Sequence, residues 1–116
     1  MDKNLVSFEF PEVIRSLPLA DVPIDGCIAH MVQCEKQQIL FMQFEREIEV
    51  AEHFHNAQWG IVLAGSIRLT IEGETREFTT GDSYYIKSGE KHNAYISAGY
   101  ADITYFDQPN RYRMKT

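Results

Sequence analysis

Residues 63–92 read LAGSIRLTIEGETREFTTGDSYYIKSGEKH, and within them Gly65, Gly73, Gly81 and Gly89 recur at a constant spacing of eight. Short strands joined by tight turns produce that rhythm in sandwiches and barrels. Between the first two glycines, Ile67, Leu69 and Ile71 alternate with Ser66, Arg68, Thr70 and Glu72, the period-two pattern of a half-buried strand. In GDSYYIK the same alternation places Tyr84 and Ile86 on one face and Ser83, Tyr85 and Lys87 on the other.

Working outward, CIAHMVQC (27–34) and QQILFMQFERE (37–47) upstream, and HNAYIS (92–97) and ADITYF (101–106) downstream, are dense in β-branched and aromatic residues. In LFMQFER, Met42 and Phe44 share one face and Phe41, Gln43 and Glu45 the other. No sustained helical stripe interrupts these runs. They predict an all-β chain of eight or more strands, a small jelly roll or barrel. Residues 1–26 differ. Pro11, Pro18 and Pro23 punctuate them, and PEVIRSL suits a single helical turn with proline at its first position. The expected division is an N-terminal arm, 1–26, lying over the barrel or reaching a second subunit, and a barrel domain, 27–116.

A chain of 116 residues supports one core and one site; at this size about 65% of the unfolded surface is buried. Its net charge of -6 and pI near 5.1 argue against a nucleic-acid partner, which requires clustered Lys and Arg. The one basic cluster, RYRMK (111–115), reads as a solvated tail. The N-terminus has neither a basic segment followed by an apolar one nor a run long enough to span a bilayer, so no membrane partner and a cytoplasmic location are expected. Cys27 and Cys34, seven apart on one expected strand, cannot meet in disulfide geometry and lack the close pairing of a zinc motif.

Of four histidines, His53 and His55 lie two apart in AEHFHNAQWG (51–60). Alternation along a strand puts them on one face, roughly 7 Å apart at Cα. Alone, such a pair is either a metal site or a solvent-facing polar surface. His92, just after the turn KSGEK, is placed to join them from another strand, leaving His30 unassigned.

Taken with the glycine frame, HFHNAQWGIVLAG and GDSYYIKSGEKH resemble the two signature motifs of the cupins, and the chain is similar to the small single-domain, RmlC-like members with one conserved barrel. The resemblance covers residues 37 to 106 and implies a double-stranded β-helix, or jelly roll. It also implies one divalent transition-metal ion (Zn, Fe, Ni, Mn or Cu) held by His53, His55 and His92, with Gln58 at the position of the family's glutamate ligand. Met42, Phe44 and Ile86 would be pocket walls, and Tyr84 the candidate proton donor beside the site. The departures are Gln58 in place of glutamate with only Asn56 and Ala57 between it and His55, Lys87 in place of proline, Ile96 in place of asparagine, and Glu47 in place of glycine. A neutral glutamine leaves the ion's charge unopposed and favours an anionic ligand. Imidazoles suit several of these metals without choosing among them.

The expected role is therefore metal-dependent turnover of a small polar or anionic metabolite by dioxygenase-, isomerase-, decarboxylase- or lyase-type chemistry. The alternative is a non-catalytic small-ligand or metal-binding module; a metal-free structural barrel is a third reading. By resemblance the barrel pairs as a homodimer. Trp59 must face away from Gln58, toward another sheet or a subunit contact.

Overall fold

The computed structural model describes residues 8–116, so the first seven residues of the expected arm lie outside the described part. One helical turn, α1 (Glu12–Arg15), precedes a run of strands: β1 (Ala20–Asp21), β2 (Cys27–Gln33), β3 (Gln38–Phe44), β4 (Ile48–His53), β5 (Gln58–Ala64), β6 (Ser66–Ile71), β7 (Glu74–Thr79), β8 (Ser83–Ile86), β9 (His92–Ile96), β10 (Ala101–Phe106) and β11 (Arg113–Met114). They form a five-stranded sheet, β2-β3-β10-β5-β8, a four-stranded sheet, β4-β9-β6-β7, and a small β1-β11 pair. From β3 onward the chain shuttles between the two larger sheets, and the pairings are antiparallel throughout. The result is the expected jelly roll.

The eight-residue glycine rhythm marks the turns. Gly65, Gly73, Gly81 and Gly89, at φ of 72°, 86°, 94° and 84°, occupy the left-handed region in the links β5–β6, β6–β7, β7–β8 and β8–β9, where a Cβ would be strained. The alternation is also realised. Leu40, Met42 and Phe44 of β3, Ile67 and Leu69 of β6, and Tyr84 and Ile86 of β8 point into one core between the sheets. Each such side chain contributes roughly 1.5–3 kcal/mol through burial. Gly60 has a different function. A Cβ there would stand 2.5 Å from Cζ and Oη of Tyr84, so the missing side chain is what lets the Tyr84 ring lie across β5.

Residues 8–26 run along the β2–β3 side of the larger sheet. Phe10 is buried edge-on against Phe41, Gln43 Nε2 donates to the Phe8 carbonyl at 2.8 Å, and Met31 N–H donates to the Pro18 carbonyl at 2.8 Å. The helical turn forms with Pro11 one position earlier than expected, at its N-cap. No described helix is long and apolar enough to cross a membrane. Both cysteines are free, and burial pushes the Cys27 thiol up to about 12.

One expectation is overturned. RYRMK is not a free tail, although Arg113, Met114 and Lys115 are exposed: Arg113–Met114 pairs with β1, and Arg111 and Tyr112 line the barrel cavity. The cause is Gln38, fully buried on β3. Its amide nitrogen donates to the carbonyls of Pro109 (3.0 Å) and Tyr112 (2.7 Å), and its carbonyl accepts the Tyr112 N–H at 3.1 Å. A polar side chain inside the sheet thus stands in for a neighbouring strand and straps the C-terminal segment across the barrel mouth.

Candidate metal centre

His53 closes β4 and His92 opens β9, where the two pair directly. Ile48 and Val50 of β4 face inward, so strict alternation would continue through Glu52 and turn His53 to solvent. A register shift between Val50 and His53, three steps on β4 against two on β9, reverses the parity and swings His53 to the interior. Re-aiming a side chain is what β-bulges do beside functional sites. His55 lies beyond the strand, in the loop to β5; the loop is tied by Gly89 N–H to the His55 carbonyl at 2.9 Å. The pair converges, but through a bulge and a loop rather than through simple alternation.

The three imidazoles are oriented alike. Nδ1 of His53 meets the Ala51 carbonyl at 2.9 Å, Nδ1 of His55 the Asn56 carbonyl at 2.7 Å, and Nδ1 of His92 the Glu90 carbonyl at 2.9 Å. A carbonyl only accepts, so each Nδ1 carries the proton and each Nε2 presents a lone pair. The ligand nitrogens of the three residues lie within 4.8 Å of one another, and Nε2 of His55 and of His92 stand 3.2 Å apart. Two neutral rings in these tautomers cannot hydrogen-bond through those atoms; two lone pairs face each other and call for a cation between them. Burial, assisted by the Arg111, His92 and His53 charges, pushes His55 down to about 4, and burial likewise lowers His92, so a proton is a poor candidate at neutral pH. Two nitrogens 3.2 Å apart fit adjacent ligands of one ion, since bonds of ~2.1 Å at an angle of about 100° give that separation. Carbonyl partners on the far nitrogens are the usual outer shell of metal-binding histidines.

The cluster opens on a cavity of about 80 Å³ lined by Met42, Phe44, Gln58, Tyr84, Ile86, Asp102, Thr104, Phe106, Arg111 and Tyr112, with apolar residues of the smaller sheet opposite. All the sequence-nominated residues therefore border one space. His30 does not join them, its Nδ1 facing the Leu17 carbonyl at 3.0 Å under the arm.

Two residues at the cavity carried no signal in the sequence. Asp102, on β10, is buried with Tyr100, Thr104 and Tyr84, whose hydroxyls donate to its carboxylate at 2.7, 3.0 and 3.4 Å. Burial raises it to about 6, against the pull of those hydroxyls. Tyr84 is raised by burial and by the Asp102 charge, so it keeps its proton at neutral pH. Arg111 lies over the rings of Tyr112 (4.4 Å) and Phe106 (5.8 Å), and Phe106 packs against His55. Its Nε is the one buried side-chain polar atom without a partner among the described residues.

Comparison with known proteins agrees with this architecture. The cupin domain family model matches residues 40–107. A mannose-1-phosphate guanylyltransferase of Salmonella montevideo is 40% identical over 45 residues, 39% of this chain but 10% of that protein, so the chain spans a tenth of its length. Among solved structures, an RmlC-like cupin from Shewanella frigidimarina superposes with a TM-score of 0.72 at 24% identity, covering 90% of this chain and 91% of that one. KdgF from Halomonas sp. gives 0.68 at 22% identity, covering 79% and 86%. An oxalate decarboxylase variant from Bacillus subtilis gives 0.67 at 23% identity, covering 84% of this chain and 29% of that one. At these identities the structures speak to the fold. With the family model matched over more than half of its length on a jelly roll of this topology, the chain belongs to the cupin domain family.

Proposed function

We propose that the barrel binds one divalent transition-metal ion on His53, His55 and His92, with the Gln58 carbonyl as a further ligand, and acts on a small anionic metabolite. The observation that carries the reading is the common tautomer of the three imidazoles, whose unprotonated Nε2 atoms converge. When bound, the ion supplies Lewis-acid polarisation of a ligand oxygen or a lowered pKa for bound water. The rest is done by the chain. The Nδ1 contacts hold the rings, Met42, Phe44 and Ile86 exclude water, and Arg111, whose Nε has no partner among the described residues, offers an N–H for an anionic group. Tyr84 keeps its proton and acts as an orienting hydroxyl rather than a base.

Charge and size support the substrate class. The ligand set contains no carboxylate, so the ion's charge and Arg111 together favour an anion. A space of about 80 Å³, where roughly 10–15 Å³ on this scale holds one water, admits a small molecule of a handful of non-hydrogen atoms. The binding-only barrel is the second reading. It is favoured by the position of Asp102, the one acidic side chain on the cavity among the described residues, whose carboxylate is already engaged by three hydroxyls of the fold. Free thiols at Cys27 and Cys34 suit a reducing compartment such as the cytoplasm.

We also place a second copy of the chain against the outer face of the larger sheet. There Tyr105, Trp59 and Tyr85 pair across β10, β5 and β8 in one row, exposed by 37%, 41% and 57%.

Elemental analysis of the parent and of His53→Ala and His92→Ala tests the centre. Near one equivalent of a transition metal, lost in both variants, supports it; no metal, and none taken up on titration with Fe, Ni, Mn, Cu or Zn, removes it. Consumption of a short hydroxy or keto acid by the metal-loaded parent separates enzyme from binding module.

A further inference from the structure

We infer that Asp102 is a positioning residue for this centre: through the Tyr84 hydroxyl it determines which end of the Gln58 amide faces the histidines. The inference rests on the metal reading above and deepens it.

An ionised carboxylate only accepts hydrogen bonds. Asp102 Oδ2 takes the O–H of Tyr100 at 2.7 Å and of Tyr84 at 3.4 Å, and Oδ1 takes the O–H of Thr104 at 3.0 Å. Asp102, Tyr84, Tyr100 and Thr104 are exposed by 3%, 5%, 1% and 0%, so the hydroxyls have little access to bulk water as an alternative acceptor. With its single proton committed to Asp102, the Tyr84 oxygen can only accept from Gln58. Gln58 Nε2 stands 3.3 Å away and donates to it. An amide has two unlike ends, and once the NH2 is held at Tyr84 the carbonyl is directed elsewhere, on the wall it shares with the histidines. Turned over, Gln58 would offer a metal ion an NH2 group, which has no lone pair to give.

The direction of every bond in this relay follows from Asp102. Asp102→Asn keeps the shape but places a donor where there was only an acceptor. The new NH2 can donate to the Tyr84 oxygen, which turns the Tyr84 proton toward Gln58 and draws the amide carbonyl away from the histidines.

The test is a double-mutant cycle on Ni2+ affinity, read by competition with a chromogenic chelator, using the parent, Gln58→Ala, Asp102→Asn and the double variant. Each single change is expected to weaken binding tenfold or more, the scale on which outer-shell partners act. The double variant is expected to bind no more weakly than Gln58→Ala. Losses that multiply, or an Asp102→Asn affinity equal to the parent's, overturn the inference; a residue that merely stabilised the barrel would lower the melting temperature without this non-additivity.

NMR of the metal-free protein gives an independent readout. Nuclear Overhauser contacts from the Gln58 NH2 protons to the Tyr84 ring are expected in the parent and lost in Asp102→Asn, and their absence in the parent overturns the inference whether or not Ni2+ binds. Their presence in a parent that takes up no Ni2+ supports the relay and overturns the metal reading alone. Should Asp102→Asn fail to fold, Tyr84→Phe removes the hydroxyl and carries the same expectations.

Discussion

A buried carboxyl and a half-buried imidazole titrate in the same pH window with opposite effects on stability, and replacing the carboxyl should leave the rising contribution unopposed. Asp102 is raised by burial from 3.8 to about 6. Between those values the folded protein binds a proton that the unfolded chain has lost, so stability falls as pH rises through the window. About 2 pH units at 1.36 kcal/mol each give about 3 kcal/mol. His55 is lowered by burial from 6.5 to about 4. Here the unfolded chain binds the extra proton, so stability rises with pH from about 4 to 6.5. Solvent screening of this half-buried ring reduces its share to about 1–2 kcal/mol. His92, also lowered by burial, acts in the same direction.

In the metal-free parent these contributions largely oppose one another. Asp102→Asn removes the falling one. The measurement is urea unfolding of parent and variant, both held free of metal by chelator, at intervals from pH 4 to 7.5. Subtracting the curves cancels the common contribution of the other carboxylates. The variant should gain on the parent by about 2 kcal/mol between pH 4 and 6.5, the rest of the contribution lying below pH 4, whatever its offset at the acid end. A difference flat within about 0.5 kcal/mol, or one that falls with pH, would refute the assignment of a buried, raised carboxyl at Asp102.

Three further outcomes test the architecture that holds the site. Gln38→Leu strands the Tyr112 carbonyl and N–H, at about 1 kcal/mol each, while the Pro109 carbonyl keeps the Gln33 Nε2 donor at 2.9 Å; a loss of about 2 kcal/mol with protease sensitivity C-terminal to residue 108 is expected, and an equally stable, equally protected variant would show that the strap is held otherwise. Gly60→Ala drives a Cβ into the Tyr84 ring at 2.5 Å and should destabilise by about 1–3 kcal/mol, with a changed near-ultraviolet tyrosine signal; a neutral substitution would mean that the ring is not confined there. Trp59→Glu puts a charge in the middle of the exposed aromatic row and should give a monomer by light scattering where the parent is a dimer. A parent that is already monomeric at high concentration removes the pairing proposal.

How much of this was legible beforehand depended on whether a feature was periodic. The glycine spacing and the alternation in SIRLTIE encode turns and faces locally, because each residue's face follows from its neighbour's, and the jelly roll was readable from them. The bulge before His53 was not. Nothing in IEVAEH marks where the parity changes, and the three steps of β4 opposite two of β9 exist only in the pairing with a strand some forty positions away. Asp102 was hidden for a related reason. In ADITYF it occupies one alternate position among β-branched and aromatic residues, and its burial is possible only because Tyr84 from β8 and Tyr100 from the preceding turn bring hydroxyls to it. Arg111 was misread outright, since a basic run near a terminus looks solvated until Gln38, more than seventy positions earlier, is seen to hold it.

The departure that looked most damaging in the sequence, Gln58 in place of glutamate, becomes intelligible beside Asp102. Tyr84 has one proton, and Asp102 takes it. A glutamate at 58 would be a second acceptor at the same hydroxyl with nothing left to accept, and a second negative charge close to a carboxylate already raised to about 6. Like charges so placed drive one of the two to hold a proton, which would cancel the electrostatic advantage of an acidic ligand. A glutamine avoids the conflict, because its NH2 satisfies the Tyr84 oxygen while its carbonyl stays available to an ion. The consequence for the proposed centre lies at the other side of the cavity: an ion there would meet no ligand carboxylate, and with Arg111 Nε lacking a partner among the described residues, the neutralising negative charge is expected to arrive with the ligand.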